Sequence, residues 1–276
     1  MTIRLGHSPD ADDAFMFWAM AEGLIETPLQ FEHVLRDIQT LNEWAREGKL
    51  EFTALSVHNL AYVADRYSVL NQGGSFGDRY GPMLVAREPI PIEQLAQHTI
   101  AIPGRLTSAY LALRLFLPNA QTVEMPFDAI MPAVQSGEVP IGLLIHEGQL
   151  THAQEGLTLL VDLGVWWAEQ TGGLPLPLGV NAVRADLPPE VQHEIARVFR
   201  ESIRLGLAHR EQAMAYALQF GRGIDPATAD RFVGMYVNEL TLEMGARGRQ
   251  AIQEFLRRGA EAGIVPQAQV RWLEPA

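Results

Sequence analysis

The chain has no cysteine, which excludes disulfide frameworks, thiolate zinc sites, iron–sulfur clusters and a cysteine nucleophile. It is also poor in positive charge: 21 Lys and Arg face 33 Asp and Glu, a formal net charge of −12. A protein that grips phosphate backbones needs a basic face, so nucleic acid is not the expected partner. No uninterrupted apolar span approaches the roughly 18 residues that a membrane helix needs. The opening Met1-Thr-Ile-Arg-Leu-Gly-His7 lacks the apolar core of a signal peptide. A small-molecule partner and a cytoplasmic location are the expectation, with no membrane association. No motif for a nucleotide, tetrapyrrole or metal cofactor is present, so none is expected.

What is there is ordinary globular composition, 47% hydrophobic and 20% charged, over 276 residues. That length suits one large or two medium domains. The stretch Pro140-Ile-Gly-Leu-Leu-Ile-His-Glu-Gly148 is the most informative. Its apolar run between Pro and Gly reads as a buried parallel strand, because a strand covered on both faces needs no polar alternation. His146 then falls at the carboxyl end of that strand, the edge at which open α/β sheets bind ligands. A neutral imidazole there suits proton transfer near pH 7, and equally it can serve only to hold a loop.

Ile3 to Pro9 reads as a strand and turn, followed by Asp10-Ala-Asp-Asp-Ala14 as the cap of a helix through Phe15 to Met20. Three acids so close suggest a metal, but the remainder of a calcium loop is missing, and capping is the simpler role. Phe31 to Leu35 alternates like a strand, Ile38, Leu41, Trp44 and Ala45 recur at helical spacing, and Phe52 to Ser56 is a strand running into a helix. This βαβαβα order implies a parallel sheet with crossover helices. Pro82 to Ala86 reads as a strand and Pro89-Ile-Pro91 as a crossing between domains. Thr99 to Ile102, Thr122 to Met125, Ile141 to Ile145 and Leu157 to Leu163 read as further strands with helices between them.

Pro103-Gly-Arg-Leu-Thr-Ser108 joins a strand to a helix start, where free backbone N–H groups can receive an anion and where Thr107 and Ser108 can also act simply as caps. Trp166-Trp167 reads as packing. Thr171 to Gly179 is too rich in Gly and Pro for a regular element and reads as the return crossing. From Pro188 onward the pattern is helical, with Val191, Ile195, Val198, Phe199, Ile203 and Leu207 keeping a 3.6-residue period. The expected architecture is α/β with two lobes: residues 1–91 and 173–276 form a discontinuous first lobe with a helical C-terminal region, and residues 92–172 an inserted second lobe. Ser56, Thr107, Ser108 and His146 face the cleft between them.

Several segments together, Gly6-His-Ser-Pro9 with Asp13 and Phe15, Leu55-Ser56, Pro103 to Tyr110, Gly142 to Glu147, Asp162 to Trp167 and Leu174-Pro-Leu-Pro-Leu-Gly179, resemble the 1,4-dihydroxy-6-naphthoate synthases of the futalosine route to menaquinone. The resemblance spans nearly the whole chain in the right order. It implies the type II periplasmic-binding-protein-like fold with parallel-sheet cores and a lyase that converts cyclic dehypoxanthinyl futalosine to 1,4-dihydroxy-6-naphthoate without metal or organic cofactor. By matching position it implies His146 as the base and Ala54, Leu55, Ser56, Thr107, Ser108 and Asp13 around the substrate. Where the family has Cys-Pro-Asn-Asp, this chain has Asp10-Ala-Asp-Asp13, which by composition adds negative charge to the site, and Ala54 stands where a lysine is common. Two alternatives fit the same fold, a solute-binding protein without chemistry and the related chorismate dehydratase.

Overall fold

The computed structural model describes residues 1–220 and 225–274 of the chain. β1 (Thr2–His7) leads into α1 (Ala11–Ala21), followed by β2 (Gln30–Leu35), α2 (Ile38–Glu47), β3 (Phe52–Ser56) and α3 (Val57–Val63). The short strands β4 (Tyr67–Val69) and β5 (Ser75–Gly77) come next. Then β6 (Met83–Ala86), β7 (Thr99–Ile102), α4 (Ser108–Phe116), β8 (Gln121–Glu124), α5 (Phe127–Ser136), β9 (Ile141–Leu144), α6 (Gly148–Thr151), β10 (Thr158–Asp162) and α7 (Leu163–Gln170) follow. β11 (Leu176–Arg184) precedes α8 (Pro189–Ala208), α9 (Arg210–Ala217), α10 (Pro226–Tyr236), α11 (Glu239–Leu242) and α12 (Gly245–Glu261).

The strands form two sheets. The first has the order β2-β1-β3-β11-β4, with β5 also on β11; the second has the order β10-β6-β9-β7-β8. Both are mixed around a parallel core of three strands. Parallel pairing holds where crossover helices join the strands, in β1 with β2 and β3 and in β7 with β8 and β9. Strands that pass between the sheets enter reversed: β11 is antiparallel to β3, and β6 is antiparallel to β9 and β10.

The chain crosses earlier than expected, and one segment expected to be irregular is a strand. β6 already belongs to the second sheet, so the chain leaves the first sheet between Gly77 and Met83 rather than at Pro89 to Pro91. The segment from Leu176 to Gly179, expected to be irregular, is the first half of the nine-residue β11. Its proline is accommodated because Pro177 faces β5 at a register shift, beyond the end of β3, where no ladder N–H is required of it.

Helix stops and starts follow local chemistry. Asp37 caps α2 by accepting from Thr40 N, and Gly48, at φ 70°, ends that helix in the left-handed conformation that glycine adopts without strain. The 3.6-residue stripe of α8 is buried through Ile195, Val198, Phe199 and Ile203, and it packs with α1 and Phe52 against the first sheet. In β9 every residue is buried, and Gly142 is required there: a methyl group on it would lie 2.7 Å from Ile130 Cγ2 and 2.8 Å from Val134 Cγ2. α5 therefore rests directly on the strand that carries the chain to His146.

Candidate active site

The carboxyl ends of β1, β3 and β9 and the starts of α1, α3 and α4 converge on a cleft of about 740 Å³, its open mouth included. All seven residues expected at a site, Asp13, Ala54, Leu55, Ser56, Thr107, Ser108 and His146, line this cleft. So do Ser8, Asp10, Asp12, Met16, Ile38, Gln149, Leu178, Val180, Asn181, Phe232 and Tyr236. Among the described residues no lysine or arginine does. Among the described residues no group of three His, Cys, Asp or Glu side chains has the arrangement to hold a metal ion.

His146 sits two residues past β9 with φ 62°, one of two non-glycine residues among those described in the left-handed region. Such a conformation costs roughly 1 kcal/mol, and the surrounding packing has to hold it. The turn brings imidazole Nδ1 to 3.2 Å from Asp10 Oδ2 and sets the ring edge-on to Phe127, with centroids 4.5 Å apart. Asp10 is the N-cap of α1 by position, but its side chain makes no capping hydrogen bond. The capping role expected for this acidic turn is thus borne out for the backbone and not for the Asp10 carboxylate.

The acidic turn carries less charge than its composition suggests. Burial, then the neighbouring Asp10 and its hydrogen bond, then Glu147, hold the Asp12 carboxyl well above the usual carboxylate range. Burial and Asp12 push Asp13 up to about 8, although Asp13 accepts a 2.7 Å hydrogen bond from Ser8 N. Asp12 and Asp13, both only partly accessible, line the cleft.

On the facing wall, Ser56 ends β3. Its hydroxyl accepts from Asn42 Nδ2 at 2.9 Å and its N–H donates to Asn42 Oδ1 at 2.9 Å, leaving the hydroxyl proton to be directed into the cleft. Leu55 is wholly buried in the cleft wall. The Thr107 hydroxyl donates to Gly104 O at 2.8 Å and accepts from Tyr110 N at 3.2 Å, capping α4. Ser108 donates to Leu178 O at 2.6 Å and accepts from His58 N at 3.2 Å. His58, whose imidazole burial pushes down to about 4, is neutral and donates from Nδ1 to Thr107 O at 3.1 Å. Both hydroxyls at this helix start are committed to the protein. What the start still offers is the backbone N–H groups of Ser108 and Ala109, since that of Tyr110 is taken by Thr107.

Gln149 and Tyr236 line the cleft and Asn42 stands behind Ser56, and residue order had assigned none of the three to the site. Asn42 is fully buried on α2, and it also donates to Leu106 O at 3.3 Å, bridging the first sheet's helices to the α4 loop. A polar residue beside Leu41 and Ala45 on an apolar helical stripe was the available signal. Tyr236 donates its phenol to Gln149 Oε1 at 2.6 Å, and so joins α10 to α6 across the cleft.

The sequence pattern of a family described as "Menaquinone biosynthesis" matches residues 3–261. The chain belongs to that family. This menaquinone-biosynthesis family member is 40% identical over 262 residues to the "1,4-dihydroxy-6-naphtoate synthase" of Thermus thermophilus, covering 95% of each chain. It superposes on protein AF1704 from Archaeoglobus fulgidus with a TM-score of 0.92 and 46% identity, covering 96% of this chain and 98% of that one. The alkanesulfonate-binding protein SsuA from Xanthomonas axonopodis shares the fold at 14% identity and a TM-score of 0.73, covering 96% of this chain and 94% of that one. The two-lobed periplasmic-binding-protein-like architecture expected from the sequence is therefore borne out.

Proposed function

We propose that the protein is the carbon–carbon lyase of menaquinone biosynthesis that takes cyclic dehypoxanthinyl futalosine to 1,4-dihydroxy-6-naphthoate, with His146 as the base. The observation that carries this reading is the convergence of His146, Ser56 and the α4 start on one cleft in a chain related end to end to a naphthoate synthase. Cleaving a carbon–carbon bond beside hydroxyl and carbonyl groups requires a base to start electron flow and donors to hold the oxyanion that develops. His146 supplies the first, and the Ser56 hydroxyl and backbone N–H groups supply the second.

The backbone N–H groups at the start of α4 offer a substrate carboxylate a seat. The Met16, Ile38, Leu178, Val180 and Phe232 side chains offer apolar walls to a flat bicyclic ring. Among the described residues no helix is long and apolar enough to cross a membrane, and a cytoplasmic location is part of this reading. Incubating the purified protein with cyclic dehypoxanthinyl futalosine should release a mass matching 1,4-dihydroxy-6-naphthoate. Saturable binding without product would replace the lyase with a solute-binding protein.

A further inference from the structure

We propose that Asp10 is a positioning residue for His146, its carboxylate accepting the Nδ1 proton and so fixing the imidazole as the tautomer whose Nε2 is the basic nitrogen. This deepens the lyase reading and rests on it. The geometry that points to the pair is specific: Nδ1 and Oδ2 lie 3.2 Å apart, and the Asp10 side chain is 3% exposed and that of His146 15%. The ring reaches this position only because residue 146 holds φ 62° and Phe127 flanks it. Asp10 gives up side-chain capping of α1, the role its place would ordinarily assign it.

The neighbours support the same assignment. Burial and the adjoining Asp10 hold the Asp12 carboxyl well above the usual carboxylate range, and the two side chains share a hydrogen bond. On this assignment the Asp10 carboxylate carries its negative charge beside the imidazole. When Nε2 takes the substrate's proton, that charge faces the imidazolium formed and stabilises it, and Nδ1–H stays where it was. A base held by a third group in this way is the general logic of an oriented histidine.

Two measurements separate this role from a structural one. The Asp10 side chain does not cap α1 but is buried and bonded to Asp12, so the near-isosteric Asp10→Asn is made beside Asp10→Ala and the Tm of each is compared with the parent's. The first measurement is 15N NMR of the imidazoles, with the His146 signals identified by their loss in His146→Gln. The parent should show the Nδ1–H tautomer at His146, and Asp10→Ala a mixture shifted toward Nε2–H. This readout needs no substrate, so it stands even if the futalosine derivative proves not to be the substrate. The second is steady-state kinetics on the futalosine derivative: kcat should fall about 100-fold in Asp10→Ala, with KM changed less than threefold, on the order of a base's contribution. An unchanged His146 tautomer in Asp10→Ala, or a kcat within threefold of the parent, would overturn the assignment.

Discussion

Two histidines end or follow strands at the same edge of their sheets, and they have opposite environments. His7 closes β1, is 2% exposed, stacks on Phe17 at 4.6 Å and meets His33 Nδ1 through Nε2 at 3.0 Å. Burial first, and the His33 neighbour second, push its imidazole down to about 3. His146 follows β9, lines the cleft and has a carboxylate at 3.2 Å. His7 does not line the cleft. Position at a strand's carboxyl end does not make a histidine an acid–base group; a partner that tolerates its charge and access to a cavity do.

The largest effect should come from breaking the cleft side of this comparison. His146→Ala should lower turnover by about 10²- to 10⁴-fold while substrate still binds, read by product mass and calorimetry. Full turnover in that variant would remove His146 as the base.

The core side breaks differently, through pH. A histidine whose folded pKa is depressed leaves the native state binding fewer protons than the unfolded one. Its contribution is therefore present above about 6.5 and is lost as pH falls toward about 3. Asp13 has the opposite sign, since its folded value near 8 favours the native state at low pH and that contribution fades as pH rises to about 8. Comparing His7→Gln with the parent isolates the histidine: the parent should lose up to several kcal/mol more between pH 6.5 and 3. Parallel stability curves across that window would show that His7 does not carry the acid sensitivity.

The smallest effect sharpens the contrast within the cleft itself. Thr107 lines the cavity, yet its hydroxyl serves α4, so Thr107→Ala should cost about 1 kcal/mol of stability, the price of a lost N-cap. Substrate affinity should change less than threefold, because the backbone N–H groups remain. A large loss of affinity at unchanged Tm would instead assign the hydroxyl to the substrate.

Much of this was legible in residue order because it is local. The apolar run of β9, the 3.6-residue stripe of α8 and the turn before Thr107 each carry their own signal. β4 and β5 have three residues apiece, too few for any period to show. β6 looks like any short strand, and only its register with Leu144 and Leu143 decides its sheet. The Asp10 carboxylate was legible as a cap because its neighbours in sequence are a helix; its true partner lies on another strand's end. The resemblance to a known family located the cleft residues, but it could not say which hydroxyls were already occupied.

The path of β11 has a consequence for the nascent chain. The strands of the second sheet, from Met83 to Asp162, leave the ribosome as one uninterrupted stretch. The first sheet's opening strands must wait, because β3 has β1 on one side and receives β11 on the other only when residues 176–184 arrive. Until then an apolar strand keeps an open edge able to pair with another chain. The lobe begun first is thus finished last, and a chain cut short before Leu176 would carry that edge unpaired.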